Sequence, residues 1–306
     1  MDRLPDKEGE KAQSPYKAKS SNKVLECLFS TDLSSFPPKL ASRVTLFFRA
    51  LDKKKINIQI LKSLSFRGIP EEVDSLQAII WRILLGELPF DTDKWEETLL
   101  KNREAYDAFK EELIIQPNVK KSEKIVEDHP LSTSIDSTWH KYFKDQEIWD
   151  EIEKDVKRTR NELNYFFKAT DESQNVHSDR LMRQAELKKA DLSLDDRLNY
   201  IETHADVLAR VLFIFAKLNP GIRYVQGMNE ILAVLYYCFG RCNNPFLKTT
   251  FESDLFFCFT NLMSEIRDGF CRTLDSEKTG IKGRLNDYSM LLKQVDAKVW
   301  HHLDKN

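Results

Sequence analysis

Apolar residues recur along most of this chain at spacings of three and four, the period of a helix buried on one side. Val73, Leu76, Ile79, Ile80, Ile83 and Leu84 follow it within "GIPEEVDSLQAIIWRILLGELP" (68–89). Val207, Leu208, Val211, Leu212, Phe215 and Leu218 follow it before "NPG" (219–221). β-Branched alternation is rare, and glycine occurs only 9 times. The pattern predicts an all-α fold. No internal repeat is present, which argues against a helical solenoid.

Element boundaries follow from local chemistry. In 68–89, Pro70 suits a first helical position, Glu71 and Glu72 suit the positive helix end, and Gly86 and Pro89 stop it. Further helices are expected at about 95–115, 146–158, 194–218, 253–265 and 283–303. The one at 146–158 carries Ile148, Trp149, Ile152 and Val156 on one face. Residues 229–239 are apolar nearly all round, so their helix should be buried. The stretches 116–138 and 169–180 are polar and read as connections. Residues 1–22 are charged, polar and proline-bearing, too poor in apolar surface to offset ordering. "FPPKL" (36–40) is a second break. The expected division is a largely disordered or weakly structured segment, 1–42, followed by one domain, 43–306.

Composition removes several functions. The 306 residues carry a formal net charge of −2, which does not suit a nucleic-acid binder. Cys27, Cys238, Cys242, Cys258 and Cys271 form no C-x-x-C pair, and no histidines stand at zinc spacing, so reduced thiols are expected. The N-terminus has no apolar signal region, and the longest apolar run, 231–239, is too short to span a bilayer. These features suit a cytoplasmic protein whose membrane contact comes through a partner. Phosphate-loop, dinucleotide-binding and nucleophile-elbow motifs are absent. His129 in "DHPL" has no partner at a fixed spacing, and a lone histidine specifies no site.

Two short stretches remain. In "IEKDVKRT" (152–159), Asp155 lies three before Arg158 and four before Thr159, so a helix puts all three on one side. Asp155 could orient the guanidinium or hold Thr159, or the group could be a solvated helix end. Lys157 and Arg160 are rival cations that spacing does not separate. In "RYVQGMNEIL" (223–232), a polar, flexible cluster stands where the buried helix begins. Gln226 and Gly227 could simply punctuate the turn. Alternatively, a rigid apolar helix could hold the Gln226 amide toward a ligand.

Together these stretches resemble the two fingerprints of the TBC-domain family, the Rab GTPase-activating proteins. I-x-x-D-x-x-R-T is matched by Ile152, Asp155, Arg158 and Thr159; Y-x-Q is matched by Tyr224 and Gln226. "SFRGIPEEVDSLQAIIWRILLG" resembles the family's opening segment. The resemblance covers about residues 43–306 and implies an irregular helical TBC fold. It implies a catalytic arginine, Arg158, and a catalytic glutamine, Gln226, supplied in trans to a GTP-bound Rab-family GTPase. Asp155, Thr159, Tyr224, Gly227 and Asn229 would be supporting residues. No cofactor would belong to this chain; GTP and Mg2+ would come with the partner. Two departures stand out. Gln77 replaces the arginine usual four residues before Trp81, which puts a structural salt bridge in question. The family's later S-x-x-F-x-x-R-W and W-D-x-x-F segments are absent. The domain is therefore expected to be C-terminally truncated, with the alternative of a Rab-binding module that does not catalyse.

Overall fold

The computed structural model describes residues 22–114, 138–170, 202–266, 270 and 281–305. Those residues are helical, as the apolar period predicts, with an isolated antiparallel bridge between Lys55 and Asp91. His129, Cys271 and the polar stretches at 116–137 and 171–180 lie outside the described residues. Two compact units are formed, the first from 1–111, 169–178 and 233–258, the second from 112–168, 179–232 and 259–306.

In the first unit, α1 (Lys23–Phe29) begins at Asn22, whose side chain accepts from the Val24 and Leu25 amides. Within the segment expected to be weakly structured, residues 23–29 are helical and a second helix begins at Pro38. Val24, Leu25, Leu28 and Phe29 of α1 are buried, and Phe29 meets Phe48 of α2 (Pro38–Leu51) edge-on. Pro38 is the first residue of α2, a position where its missing N–H costs nothing. After α3 (Ile58–Ser65), α4 spans only Leu76–Leu84. Pro70, Glu71 and Glu72 therefore do not begin a helix as expected. Ser75 has a left-handed backbone (φ 67°), which no continuous helix tolerates. A backbone amide and a thiol from a distant segment hold this turn. Asp74 accepts from the Asn243 amide, and the Cys242 thiol donates to Ser75 Oγ. Gly86, at φ 75°, ends the segment as predicted.

Five residues after Gln77, Arg82 makes a buried ion pair. Arg82 is fully buried, with Nε 2.8 Å from Asp254 Oδ2 and 4.0 Å from Glu87 Oε2. Its guanidinium also lies 4.0 Å from the centre of the Phe239 ring. Asp254 belongs to α10 (Phe251–Ile266), which follows the short α9 (Pro245–Thr249). The predicted helix at about 95–115 is α5 (Trp95–Leu113), anchored where Trp95 Nε1 donates to the Pro89 carbonyl.

In the second unit, α6 (Thr138–Val156) packs on α7 (His204–Leu218). Helix α6 starts about two turns before the expected position. Trp149 meets Phe213 edge-on, and Lys217 pairs with Asp145. Helix α7 starts at Thr203 with a capping box, in which the Asp206 carboxylate returns to the Thr203 amide. Helix α8 (Met228–Gly240), of which residues 233–240 belong to the first unit, buries Met228, Asn229, Leu232, Ala233, Leu235, Tyr236 and Phe239, with Val234 half exposed. The single helix expected at 283–303 is two, α11 (Ile281–Val295) and α12 (Ala297–Lys305). Asp296 interrupts it, because its carboxylate accepts from the Lys298 and Val299 amides and caps α12. The apolar stripe of that region, Tyr288, Leu291, Val295, Val299 and Leu303, is exposed.

Among the described residues no helix is long and apolar enough to cross a membrane.

Candidate functional site

Helix α6 ends in the first fingerprint. Ile152 and Val156 face the core, which places Asp155, 8% exposed, at the rim of that core. The next four residues form turns, closed where the Arg158 and Thr159 amides donate to the Asp155 and Val156 carbonyls. Asp155 meets both residues named by the spacing, but they lie past the helix end and face opposite ways rather than sharing one side. Thr159 is fully buried and its Oγ1 donates to the Asp155 carbonyl at 2.9 Å. Arg158 points outward with its side chain 69% exposed. Its Nη2 donates to Asp155 Oδ1 at 2.8 Å and its Nε to the Lys154 carbonyl at 3.1 Å. Two bonds fix the plane of the guanidinium and leave the other N–H groups to solvent.

The second fingerprint meets the first through that same carboxylate. The buried Tyr224 hydroxyl donates to Asp155 Oδ2 at 2.8 Å and lies 3.2 Å from Asn229 Oδ1. Burial, followed by the bond to Asp155, raises the phenol well above its ordinary range, so it remains a donor at any physiological pH. Asn229 completes the junction. Its Nδ2 donates to Thr159 Oγ1 at 2.8 Å, and its Oδ1 accepts from the Gly227 amide at 3.1 Å. Charged and polar groups buried this closely contribute only when each has its partner, and here they do.

The loop before α8 is held at both ends. The Val225 amide donates to Met228 Sδ, and Met228 is fully buried. Gly227 has φ 101°, which favours glycine, and its carbonyl accepts from the Glu230 and Ile231 amides at the start of α8. Gln226 stands between these anchors and is exposed. The polar cluster in front of the apolar helix thus has a reason: Gly227 and Asn229 bend and pin the chain so that one carboxamide faces outward.

The rival cations are each occupied by glutamate. Lys157 Nζ lies 2.7 Å from Glu153 Oε1, and Arg160 Nε lies 2.9 Å from Glu230 Oε2. Glu230 was not singled out in the sequence. Its signal was available, since acidic residues favour the first turn of a helix, but nothing in the sequence pointed to Arg160 as its partner. Among the described residues no group of His, Cys, Asp and Glu could hold a metal.

This arrangement can present a guanidinium and a carboxamide from one buried polar base. Such a pair suits stabilisation of charge on an oxyanion and orientation of a water. Comparison with known sequences agrees in family. The chain is 38% identical over 303 residues to human "TBC1 domain family member 13", covering 86% of this chain and 76% of that protein. It belongs to the TBC-domain family. The mouse protein of the same name is 37% identical with the same coverage. The pattern of the Rab-GTPase-TBC domain matches residues 193–306. Among solved structures, the Ypt/Rab-GAP domain of Gyp1p shares the fold with a TM-score of 0.57 at 21% identity, over 86% of this chain and 68% of that one. The all-helical TBC architecture expected from the fingerprints is therefore the fold of this chain.

Proposed function

We propose that this TBC-domain chain accelerates GTP hydrolysis by a Rab-family small GTPase, supplying Arg158 and Gln226 in trans to the GTP-bound partner. The observation that carries this reading is the shared base. Asp155 binds Arg158 with one oxygen and Tyr224 with the other, while Asn229 ties Thr159 to the amide that follows Gln226. An exposed guanidinium and an exposed carboxamide are thereby held on one rigid support.

Phosphoryl transfer from GTP to water leaves little covalent work for an activator; positioning and charge stabilisation dominate. Arg158 would approach the phosphates and neutralise the charge that develops on the γ-phosphoryl oxygens and the leaving oxygen. Gln226 would orient the attacking water. Asp155 would hold the guanidinium in its working rotamer, so that less of its freedom is lost at the moment of reaction. GTP and Mg2+ belong to the partner. An arginine acting in this way contributes about 10³–10⁵ in rate, or roughly 4–7 kcal/mol of barrier.

Single-turnover hydrolysis with a panel of GTP-loaded Rab proteins tests the reading. At least one should be accelerated. Arg158→Ala should remove that acceleration by orders of magnitude, with circular dichroism unchanged. Arg158→Lys should be nearly as damaging, because the planar fork is lost although the charge stays. Gln226→Ala should lower the rate more than it weakens binding. Nucleotide-dependent binding without any acceleration would instead make the chain a non-catalytic Rab-binding module.

A further inference from the structure

We propose that Arg160 and Glu230 are positioning residues, forming a clasp that sets the separation of Arg158 from Gln226. The inference rests on the activator reading above and adds two residues outside the family fingerprints. Residues 159 and 160 reach residues 229 and 230 as two adjacent ties across 70 residues of chain. The inner tie is the buried bond from Asn229 Nδ2 to Thr159 Oγ1 at 2.8 Å. The outer tie is the ion pair from Arg160 Nε to Glu230 Oε2 at 2.9 Å, with both side chains nearly half exposed.

Two buried bonds already join the segments, Asn229 Nδ2 to Thr159 Oγ1 and Tyr224 Oη to Asp155 Oδ2, and together they leave one rotation, about the line through both. A third tie on the solvent side, off that line, removes it. Arg158 is two residues before the outer tie on one segment, and Gln226 is four before it on the other. Rocking about the buried line would therefore move the guanidinium and the carboxamide relative to each other. The backbone at Arg160 supports the assignment. It is left-handed at φ 47°, a conformation arginine seldom adopts, and its carbonyl accepts from the Leu163 amide at 2.9 Å. That turn carries the Arg160 side chain to Glu230 rather than out beside Arg158. Both arginines have a carboxylate partner, but the Arg158 side chain is 69% exposed and that of Arg160 42%, so Arg158 is the more accessible of the two.

Because the clasp acts on geometry, its loss should lower kcat and leave KM for the GTP-loaded Rab little changed. Arg160→Met and Glu230→Gln should each reduce kcat about three- to tenfold. The double variant should be no slower than the slower single one, since both remove one tie. Arg160→Lys should recover part of the rate. Added salt should slow the saturated wild type but not the double variant, because salt screens a half-exposed pair. Amide exchange gives a readout that needs no GTPase. The Gly227 amide, bonded to Asn229 Oδ1, should exchange at least threefold faster in each single variant. If kcat holds while KM rises, or the losses multiply, the two residues merely touch the partner and the clasp is overturned. If the wild type accelerates no GTPase, the activator reading fails. Gly227 exchange then decides the clasp alone: faster exchange in the variants upholds it, and unchanged exchange ends it.

Discussion

Asn229 occupies the position of greatest leverage among single side chains. It touches neither proposed catalytic group, yet it joins Thr159, Tyr224 and the Gly227 amide. Asn229→Ala leaves the Gly227 N–H without its acceptor and removes the donor to Thr159 Oγ1, which keeps its own bond to the Asp155 carbonyl. An unpaired N–H costs about 1–3 kcal/mol, so chemical denaturation should show a loss of about that size. Stimulated hydrolysis should fall by at least tenfold in the same variant under conditions where it is still folded. Gly227 poses a different constraint. An added Cβ would meet nothing within 4 Å, so collision is not the obstacle; its φ of 101° is. Gly227→Ala should therefore lower stability by about 1–2 kcal/mol through backbone strain alone. Gly227→Ser should cost about the same, and a much larger loss on going from alanine to serine would contradict the open space. The relation of Asp155 to Arg158 and Thr159 was readable from i, i+3 and i+4 spacing. The bridging by Asn229 was not, because it joins segments separated by 70 residues and depends on how α6 and α8 are placed.

At the scale of elements, helices α4 and α10 are joined by a buried group with two carboxylates and one guanidinium. Asp254 Oδ2 accepts from Arg82 Nε and from Thr250 Oγ1. Glu87 is farther from Arg82 and accepts from the Cys258 thiol and, more weakly, Asn102. Burial, then the neighbouring Asp254 charge, pushes the Glu87 carboxyl well above its usual range, so Glu87 is the one that keeps a proton. Asp254 Oδ1 has no donor if both carboxyls are ionised; a protonated Glu87 can supply one. The sign follows. The raised folded-state value means that folding retains a proton which the unfolded chain releases above about pH 4.3. The stabilisation is complete below that pH and is lost as pH rises toward the folded value. Thermal unfolding should therefore shift to lower temperature between pH 5 and pH 8. Glu87→Gln, which mimics the protonated form, should flatten that dependence; an equally steep profile in the variant would show that Glu87 is ionised. Arg82→Met should be far worse, by about 3–5 kcal/mol, because the buried aspartate loses the cation paired with it. Element identity was legible here, but the length of α4 was not. Local preference favoured a start at Pro70, whereas bonds from Asn243 and Cys242 to Asp74 and Ser75 hold a left-handed turn there.

Across the whole molecule, large apolar groups collect on α11 and α12. Leu285, Tyr288, Met290, Leu291, Val295, Val299 and Leu303 are all exposed, several by more than half. The two helices hold each other through Trp300, whose Nε1 donates to Ser289 Oγ while Lys293 lies over its ring at 4.3 Å. Exposed apolar side chains contribute little to stability, so Leu285→Glu with Leu291→Glu should change the unfolding free energy by no more than about 0.5 kcal/mol. The same double variant should bind markedly less of a hydrophobic dye such as ANS. A large loss of stability would mean that these leucines are covered in solution. Tyr288, Leu291, Val295, Val299 and Leu303 recur at helical spacing in the sequence. The division of this stripe at Asp296 was overlooked although the signal was present, since aspartate is a strong helix N-cap.

The sequence by itself determined the helical class, most of the helices and the order of the two fingerprints, because each rests on interactions within a few residues of chain. Periodicity selects a buried face, glycine ends α4, and a three- or four-residue spacing brings Asp155, Arg158 and Thr159 together. Tertiary structure alone decided where α4 starts, that Arg82 is buried against Asp254, and that Arg160 reaches Glu230. Each of those outcomes turns on a partner dozens to hundreds of residues away. Local propensity is worth tenths of a kcal/mol per residue, whereas leaving a buried polar group unpaired costs about 1–3 kcal/mol. Where the two disagree, the packed partner wins.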